Sequence, residues 1–398
     1  MNNEYTRRVA RIFEELAGKI EAPRQDGDLP VVLTTAGSEL GTAELVRGAE
    51  QAVAEGIRVL LVGPEVVGPQ SRSSIPRVFC EDERQAHDIM EHLLGEKRAI
   101  AAVTMHYSFP VGVATVGRVL TPARGRPAFI ATTTGTASTD RVTALVKNAV
   151  YGVAVAKACG VRDPTIGLLN LDGARQAEKV LRGLAHAGYA LAFAESKRAG
   201  GGVLMRGNDL VAGSADVMVV DSLTGNVLVK VLSAFTSGGD YETTGFGYGP
   251  GVGPGFDKII CIVSRASGAP VVANAIKLAG QAAQGNLVGV AATEIESAIR
   301  AGFSGFNEAR DSCPRTAGEG AVRTLDTAGA TRIPRAAKVL TEEIPGIDIL
   351  ELEDACEALT QRGIFARTGM GCVGPVILVS PEDKAPALSA LREGGYVQ

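Results

Sequence analysis

Two segments, DSLTGNVLVK at 221–230 and VSRASGAP at 263–270, set small polar and cationic residues where a strand gives way to a helix. The first N–H groups of a helix have no intrahelical acceptor and lie at the positive end of its dipole. A glycine-containing turn leading into one is therefore a phosphate cradle. In the first segment Thr224, Gly225 and Asn226 would form it, with Lys230 supplying charge. In the second, Ser264 stands beside Arg265, whose guanidinium can grip phosphate oxygens as a bidentate fork. The same residues also fit an N-capped helix start and a surface ion pair. A third run, ATTTGTAST, could hold phosphate at Thr134 and Gly135 or form a polar crossover between domains. His106, at a strand end, could bond a phosphoryl or thioester oxygen or be structural.

Of the six cysteines, Cys372 has local features of a reactive thiol. In RTGMGCVGP, Gly369, Gly371 and Gly374 permit close backbone approach, and Arg367 favours thiolate. A loop cysteine of no consequence would look the same. Cys159 and Cys261 lie on apolar patterns and read as core. Cys356 sits in the acidic stretch EDACEAL, whose carboxylates should raise its pKa, and Cys313 is a reserve nucleophile in a polar stretch. No spacing of cysteines or histidines suggests a metal, and GFGYGPGVG lacks the strand-then-helix context of a dinucleotide site, reading instead as a flexible lid or connector.

The elements that must position these residues alternate strand and helix. VVLTTA, TAELVRGAEQAVAEG and VLLVG make a βαβ unit, which implies a parallel sheet. A helix follows over 82–95, then a strand over 99–104 feeding the His106 loop, the strand AFIATT, and a helix capped by Thr139 or Asp140. A strand at 165–171 with the helix ARQAEKVLRGLAHAG repeats the rhythm. The strand 217–221 then leads through a turn over Ser222–Asn226 into a further helix. Residues 237–255 read as a glycine-rich connection, followed by the strand 259–264 and another helix. Near the end come a helix at 351–363, the loop ARTGMGCVGP, a strand at 376–380 and a closing helix. The fold class is α/β: a doubly wound sheet in two domains with a small C-terminal α/β extension, ligands lying at the carboxyl ends of strands.

At 398 residues the chain is long enough for two cores, and 45% hydrophobic with 21% charged residues is a globular balance. A formal net charge of -4 with scattered basic residues gives no nucleic-acid footprint. No apolar run reaches the length of about 18 residues that a membrane span needs. The expected location is cytoplasmic, with the cysteines as thiols.

ADVMVVDSLTGNVLVK followed by VSRASGAPVVANAIKLAGQAA is similar to the paired segments of phosphate acetyl- and butyryltransferases, and resembles the acyl-acyl-carrier-protein:phosphate acyltransferases in its D-x-x-TGN element. TMHYSFPVGVATVGRVLTPA resembles the acetyltransferase segment whose arginine lines the active cleft, a position occupied by Arg118. That scaffold, of the phosphotransacetylase (isocitrate/isopropylmalate dehydrogenase-like) type, implies an N-terminal helix over 1–30, a first domain over 31–128 plus 254–302, and a second over 129–253. A linker over 303–335 and an extension over 336–398 complete the division. One departure stands out: the acetyltransferases carry an aspartate seven residues after the motif serine, which helps activate the CoA thiol, and here that position is Val271. A thiol of pKa near 8.5 without a base stays mostly neutral at pH 7, whereas phosphate is already anionic.

GMGC-x-GP, HY-x-FP-x-GV-x-T-x-GRV-x-TP, ATTTGT and VSRASGAP-x-x-ANAI together resemble the family of α subunits of component C of glycine/sarcosine/betaine reductase over nearly the whole chain. The resemblance implies transfer of an acetyl group from a cysteine thioester, on Cys372, to inorganic phosphate, giving acetyl phosphate. Arg118, Ser264, Arg265 and His106 would form the rest of the catalytic set. It implies no cofactor, phosphate being a substrate. It implies as partners a ketoacyl-synthase-like β subunit and selenoprotein A carrying a carboxymethyl group, in a homodimer or hetero-oligomer. Rival readings are a stand-alone phosphate acyltransferase using acyl-CoA or acyl-carrier protein, and a scaffold that only docks the β subunit. A dehydrogenase on the same scaffold would need a metal-binding aspartate cluster that the sequence lacks.

Overall fold

The computed structural model describes residues 29–65, 73–123, 125–306, 340, 342–348, 351–371 and 374–397. The expected N-terminal helix and the linker fall almost wholly outside these residues, and Cys313 and Cys372 lie outside them.

Short apolar runs become strands and amphipathic stretches become helices. The chain first forms β1 (Val31–Thr34), α1 (Thr42–Ala54), β2 (Val59–Gly63), β3 (Arg77–Phe79), α2 (Glu83–Gly95) and β4 (Ala101–Thr104). Next come β5 (Phe109–Pro110), β6 (Ala114–Leu120), β7 (Pro127–Gly135), α3 (Arg141–Ala158), β8 (Thr165–Leu169) and α4 (Ala174–His186). They are followed by β9 (Ala192–Phe193), β10 (Leu204–Met205), α5 (Gly207–Val211), β11 (Val217–Val219) and α6 (Ser222–Ala234). The chain then adds β12 (Gly249–Val252), β13 (Ile260–Ile262), α7 (Ala269–Gln284) and α8 (Leu287–Arg300). The C-terminal unit is β14 (Glu342–Pro345), α9 (Leu352–Gln361), β15 (Ala366–Gly371), β16 (Gly374–Val379) and α10 (Lys384–Glu393).

A 12-stranded sheet runs β10-β8-β11-β7-β6-β12-β13-β4-β1-β2-β3, with β9 beside β8. Each wing is parallel: β13, β4, β1, β2 and β3 on one side, β7, β11, β8 and β10 on the other. Val31 and Leu33 enter one hydrophobic core and Val32 the other, so alternate residues of β1 serve opposite faces of a sheet covered on both. Helix α3 is buried nearly all round from Leu145 to Ala158, as its apolar circumference requires. The antiparallel strands β6 and β12 join the wings.

Three local expectations are corrected. The flexible connector expected over 237–255 contains β12, a buried strand at the centre of the sheet. Gly249 has a φ of 79°, and a Cβ there would collide with the Val116 carbonyl oxygen, so the glycines admit this strand rather than loosen it. The turn expected over Ser222–Asn226 is already the first turn of α6, because Asp221 caps it: Thr224 N and Oγ1 donate to its carboxylate at 2.9 and 2.7 Å. The stretch ARTGMGCVGP, read as a loop, supplies β15 and the start of β16, paired from Ala366–Val379 to Gly371–Gly374.

The C-terminal unit has its own core of Ile344, Leu352, Leu359, Ile377 and Leu391. Its sheet runs β14-β16-β15-β5, and its last member comes from the main body just after His106. The unit is thereby fixed to the carboxyl end of β4.

Candidate active site

Strands β4 and β13 lie side by side and parallel, and Val263 N donates to Thr104 O at 2.9 Å. This brings the segment after β13, Ser264 and Arg265, next to the segment after β4, which holds His106. Both stand at carboxyl strand ends, where an open α/β sheet presents its ligand groups.

Ser264 is held in a tight turn. Its N donates to Ser267 Oγ at 3.0 Å, and its Oγ accepts from Ala266 N at 3.2 Å. The Ser264 hydroxyl lies beside the Tyr248 hydroxyl. Tyr248 in turn donates to the buried Glu242 at 2.9 Å, and Ser267 Oγ donates to the other oxygen of that carboxylate at 2.8 Å. Burial first, then the Glu242 charge, pushes the Tyr248 phenol well above its ordinary range, so it remains a donor. The Lys230 ammonium lies 5.6 Å from the centre of the Tyr248 ring. Tyr248 therefore joins the two turns singled out in the sequence, one carrying Lys230 and the other Ser264.

The threonine run extends this group. Thr133 Oγ1 donates to Tyr248 O at 2.6 Å and lies 2.6 Å from Thr115 Oγ1, which is 3.0 Å from Thr134 Oγ1. Asn226 Nδ2 donates to Thr133 O at 3.2 Å. A Cβ at Gly225 would collide with the Thr132 carbonyl oxygen, so glycine lets α6 press directly onto β7. Gly135, with a φ of 80°, turns the chain where a Cβ would lie 2.5 Å from Val113 O.

The two arginines are engaged by protein groups. Arg265 Nη2 lies 3.1 and 3.0 Å from the Glu83 carboxylate oxygens, and its Nη1 donates to Gly37 O at 3.0 Å. Arg118 Nη1 donates to Gln281 Oε1 at 3.3 Å, and its guanidinium carbon lies 4.8 and 5.5 Å from the ring centres of Phe246 and Phe129. Its Nε is buried without a partner among the described residues. Val271 is fully buried in α7, whose first N–H, at Ala269, is taken by Glu44 at 2.8 Å.

His106 faces the C-terminal unit: its Nε2 lies 3.0 Å from Glu343 Oε1, to which Ser108 Oγ also donates. His87 Nε2 contacts Thr104 Oγ1 at 3.0 Å, and Thr34 Oγ1 donates to the same hydroxyl at 2.8 Å. Burial holds the His87 pKa below its ordinary value, against the pull of Glu83. The His106 bond holds Glu343 below the usual carboxylate range, against the opposing effect of burial.

Sequence reasoning missed Glu242, Tyr248 and Glu343. Tyr248 and Glu242 sit in the stretch read as a connector, and Glu343 meets His106 across 237 positions, a separation that leaves no local signal. Among the thiols, burial and the Asp82 charge push Cys80 up to about 11, and burial pushes Cys159 up to about 11. Cys261, wholly buried, is driven higher still by the same desolvation. Cys372 lies outside the described residues, but the strand leading to it, β15, pairs with β5 and packs against β7. No group of His, Cys, Asp and Glu suited to a metal ion, and no helix long and apolar enough to cross a membrane, occurs among the described residues.

Comparison with known proteins gives four findings. The profile of a family described as fatty acid synthesis protein matches residues 29–308. The glycine/sarcosine/betaine reductase complex component C subunit alpha of Peptoclostridium acidaminophilum is 46% identical over 391 residues, 98% of this chain and 98% of that one. A phosphate acyltransferase of Deinococcus radiodurans is 30% identical over 251 residues, covering 52% of this chain and 66% of its own. Among solved structures, a branched-chain phosphotransacylase from Enterococcus faecalis aligns with a TM-score of 0.44 at 17% identity, covering 64% of this chain and 99% of that one.

Proposed function

The chain belongs to the fatty acid synthesis protein family and to the family of component C α subunits of glycine/sarcosine/betaine reductase complexes, and from that membership we propose that it transfers an acetyl group from a cysteine thioester to inorganic phosphate. The observation that carries this reading is the approach of both candidate segments to Tyr248, with Ser264 beside its hydroxyl and Lys230, from within α6, near its ring. A cation and a hydroxyl so placed can hold a phosphate dianion and then the oxyanion that forms on the carbonyl.

In the reaction a phosphate oxygen attacks the thioester carbonyl. The C–O bond forms, the C–S bond breaks, and the sulfur leaves with the electron pair, giving acetyl phosphate and a thiol. Ser264, Lys230 and the threonine hydroxyls around Thr134 receive the phosphate. Arg265 stays clamped on Glu83 until phosphate competes for its guanidinium, and Arg118 supplies a further cation. Cys372 carries the acetyl group, a role that the strongly raised pKa values of Cys80, Cys159 and Cys261 make unfit for those thiols. Apolar Val271 provides no base for a free CoA thiol, which favours a donor already bound to protein. The name of the Peptoclostridium relative supports work within a larger complex. In this reading the partners are a ketoacyl-synthase-like β subunit and a selenoprotein that delivers the carboxymethyl group.

Treating the purified chain with acetyl phosphate and mapping the acetyl group by peptide mass spectrometry tests the proposal. Label on Cys372, lost in Cys372→Ala, is the expected result. Label on Cys313 would relocate the carrier. Release of CoA from acetyl-CoA and phosphate that Cys372→Ala leaves unchanged would establish a stand-alone acyltransferase. A chain that neither takes up label nor hydrolyses acetyl phosphate in arsenate would be a scaffold.

A further inference from the structure

We infer that Glu242 is a positioning residue of the candidate site: its buried side chain fixes the Ser264 turn and the Tyr248 phenol together, so that the Ser264 hydroxyl meets phosphate at a set place. The inference rests on the phosphate site proposed above and holds whichever thiol carries the acyl group.

Glu242 is 3% exposed, and both oxygens of its side chain accept hydrogen bonds: one from the Tyr248 hydroxyl at 2.9 Å, the other from Ser267 Oγ at 2.8 Å. Burying a carboxyl group is costly, and an apolar side chain would fill the same space more cheaply if filling were all the position required. Both donors belong to the site. Ser267 Oγ accepts in turn from Ser264 N at 3.0 Å, so Glu242 reaches the Ser264 backbone through a single hydroxyl. The Tyr248 hydroxyl, held by the other oxygen, lies beside the Ser264 hydroxyl. Ser264 itself is only partly buried. Its hydroxyl has one proton to donate, and an anion is a stronger acceptor for it than a phenol oxygen.

The backbone anchors the turn a second time. Glu242 N donates to Ala266 O and Gly268 N donates to Glu242 O, each at 2.9 Å, which lays residue 242 beside Ser267 as a short parallel bridge. A Cβ at Gly268 would lie 2.9 Å from the Tyr241 ring, so the two segments are in direct contact. On its other side the same stretch is tied to α6, the helix of Lys230: Thr243 N donates to Ser233 O at 2.8 Å and Thr244 Oγ1 to Leu232 O at 3.0 Å. One short run of chain around Glu242 therefore sets the separation between the lysine and the serine.

Glu242→Gln keeps the size of the side chain but exchanges one acceptor for an amide donor, so it cannot accept from both hydroxyls. Ser267→Ala leaves Glu242 in place, cuts only the arm to the Ser264 backbone, and carries the test if Glu242→Gln does not fold. Binding of inorganic phosphate to the full chain, followed by phosphorus NMR, needs no acyl donor. Ser264→Ala should raise the Kd for phosphate about tenfold or more, and Glu242→Gln about tenfold, because a bond to an anion is lost or misplaced. A residue that acts through Ser264 has nothing to act on once that hydroxyl is gone. The double variant of Glu242→Gln with Ser264→Ala should therefore bind phosphate as Ser264→Ala does. General loosening of the fold would weaken binding by the same factor in both backgrounds, and that result overturns the inference. Wild-type affinity in Ser264→Ala, in folded Glu242→Gln, or in Ser267→Ala where Glu242→Gln does not fold, overturns it as well. A wild-type chain that binds no phosphate overturns the proposed phosphate site and the inference with it.

Discussion

Ser264 and Lys230 stand 34 positions apart in the sequence, and Tyr248 is what both approach. The tyrosine has neither the charge nor the spacing of a site residue, and its neighbours GFG-Y-GPG read only as a flexible lid or connector. Its importance follows from burial: a phenol beside Glu242 stays protonated and donates to that carboxylate. Lys230→Ala should leave folding intact, because the side chain is exposed, while raising the KM for phosphate about tenfold or more through loss of a charge-assisted bond. Steady-state kinetics at several phosphate concentrations would check this, and an unchanged KM would remove Lys230 from the site. The cysteines give a second residue-level prediction. Thiols raised to about 11 at Cys80 and Cys159, and the still more deeply buried Cys261, should resist iodoacetamide in the native protein at pH 7.5. Peptide mass spectrometry after alkylation, with and without urea, should show these three labelled only in urea.

The βα units were legible because VVLT, VLLVG and the helices after them obey clean periods, and Asp140 caps α3 as its position predicts, accepting from Thr143 N at 2.7 Å. Strands β12 and β15 were hidden because GPGV and ARTGMG contain glycines where a strand signal needs β-branched side chains. The antiparallel seam of β6 and β12 is what turns the two parallel wings into one sheet. Helix α6 makes the same point: its D-x-x-TGN start reads as a phosphate turn in the sequence, and the structure shows a capped helix start in close packing. Gly225→Ala would set a methyl group against the Thr132 carbonyl, a backbone atom that cannot step aside. The substitution should destabilise the protein by about 1–3 kcal/mol, read as a lower urea midpoint with unchanged slope. Asp140→Ala, remote from the candidate site, should cost about 1 kcal/mol through loss of its cap. If Gly225→Ala is as stable as the parent, the tight contact between α6 and β7 is wrong.

Across the whole molecule, acidic groups fasten distant pieces to one another, and this fixes the sign of its pH response. Asp209 accepts from Ser196 Oγ, Lys197 N and Arg206 N at 2.8, 2.8 and 2.9 Å. Asp216 ties Arg126 to the start of β8 through Thr165. Glu343 holds the C-terminal unit to His106 and Ser108. Burial opposes ionisation of both aspartates, but the hydrogen bonds outweigh it, and at Glu343 the His106 bond is the leading cause; all three titrate below their ordinary values. A depressed folded-state pKa means that the unfolded chain takes up protons first. The stabilisation is therefore complete above the unfolded carboxylate range of about 4 and disappears as pH falls through the folded values. Buried, neutral His87 should begin to cost stability as pH falls through the ordinary histidine range of about 6.5, and the carboxylates should add a steep fall below about 5. Asp209→Asn separates this charge effect from simple packing, because an amide keeps the shape but cannot accept from three donors as an ionised carboxylate does. The variant should be clearly less stable than the parent in urea at pH 7, and the gap should narrow at pH 3.5, where the same aspartate in the unfolded parent has taken up its proton. A gap of equal size at both pH values would mean that Asp209 acts through shape, leaving the acid limb to Asp216 and Glu343.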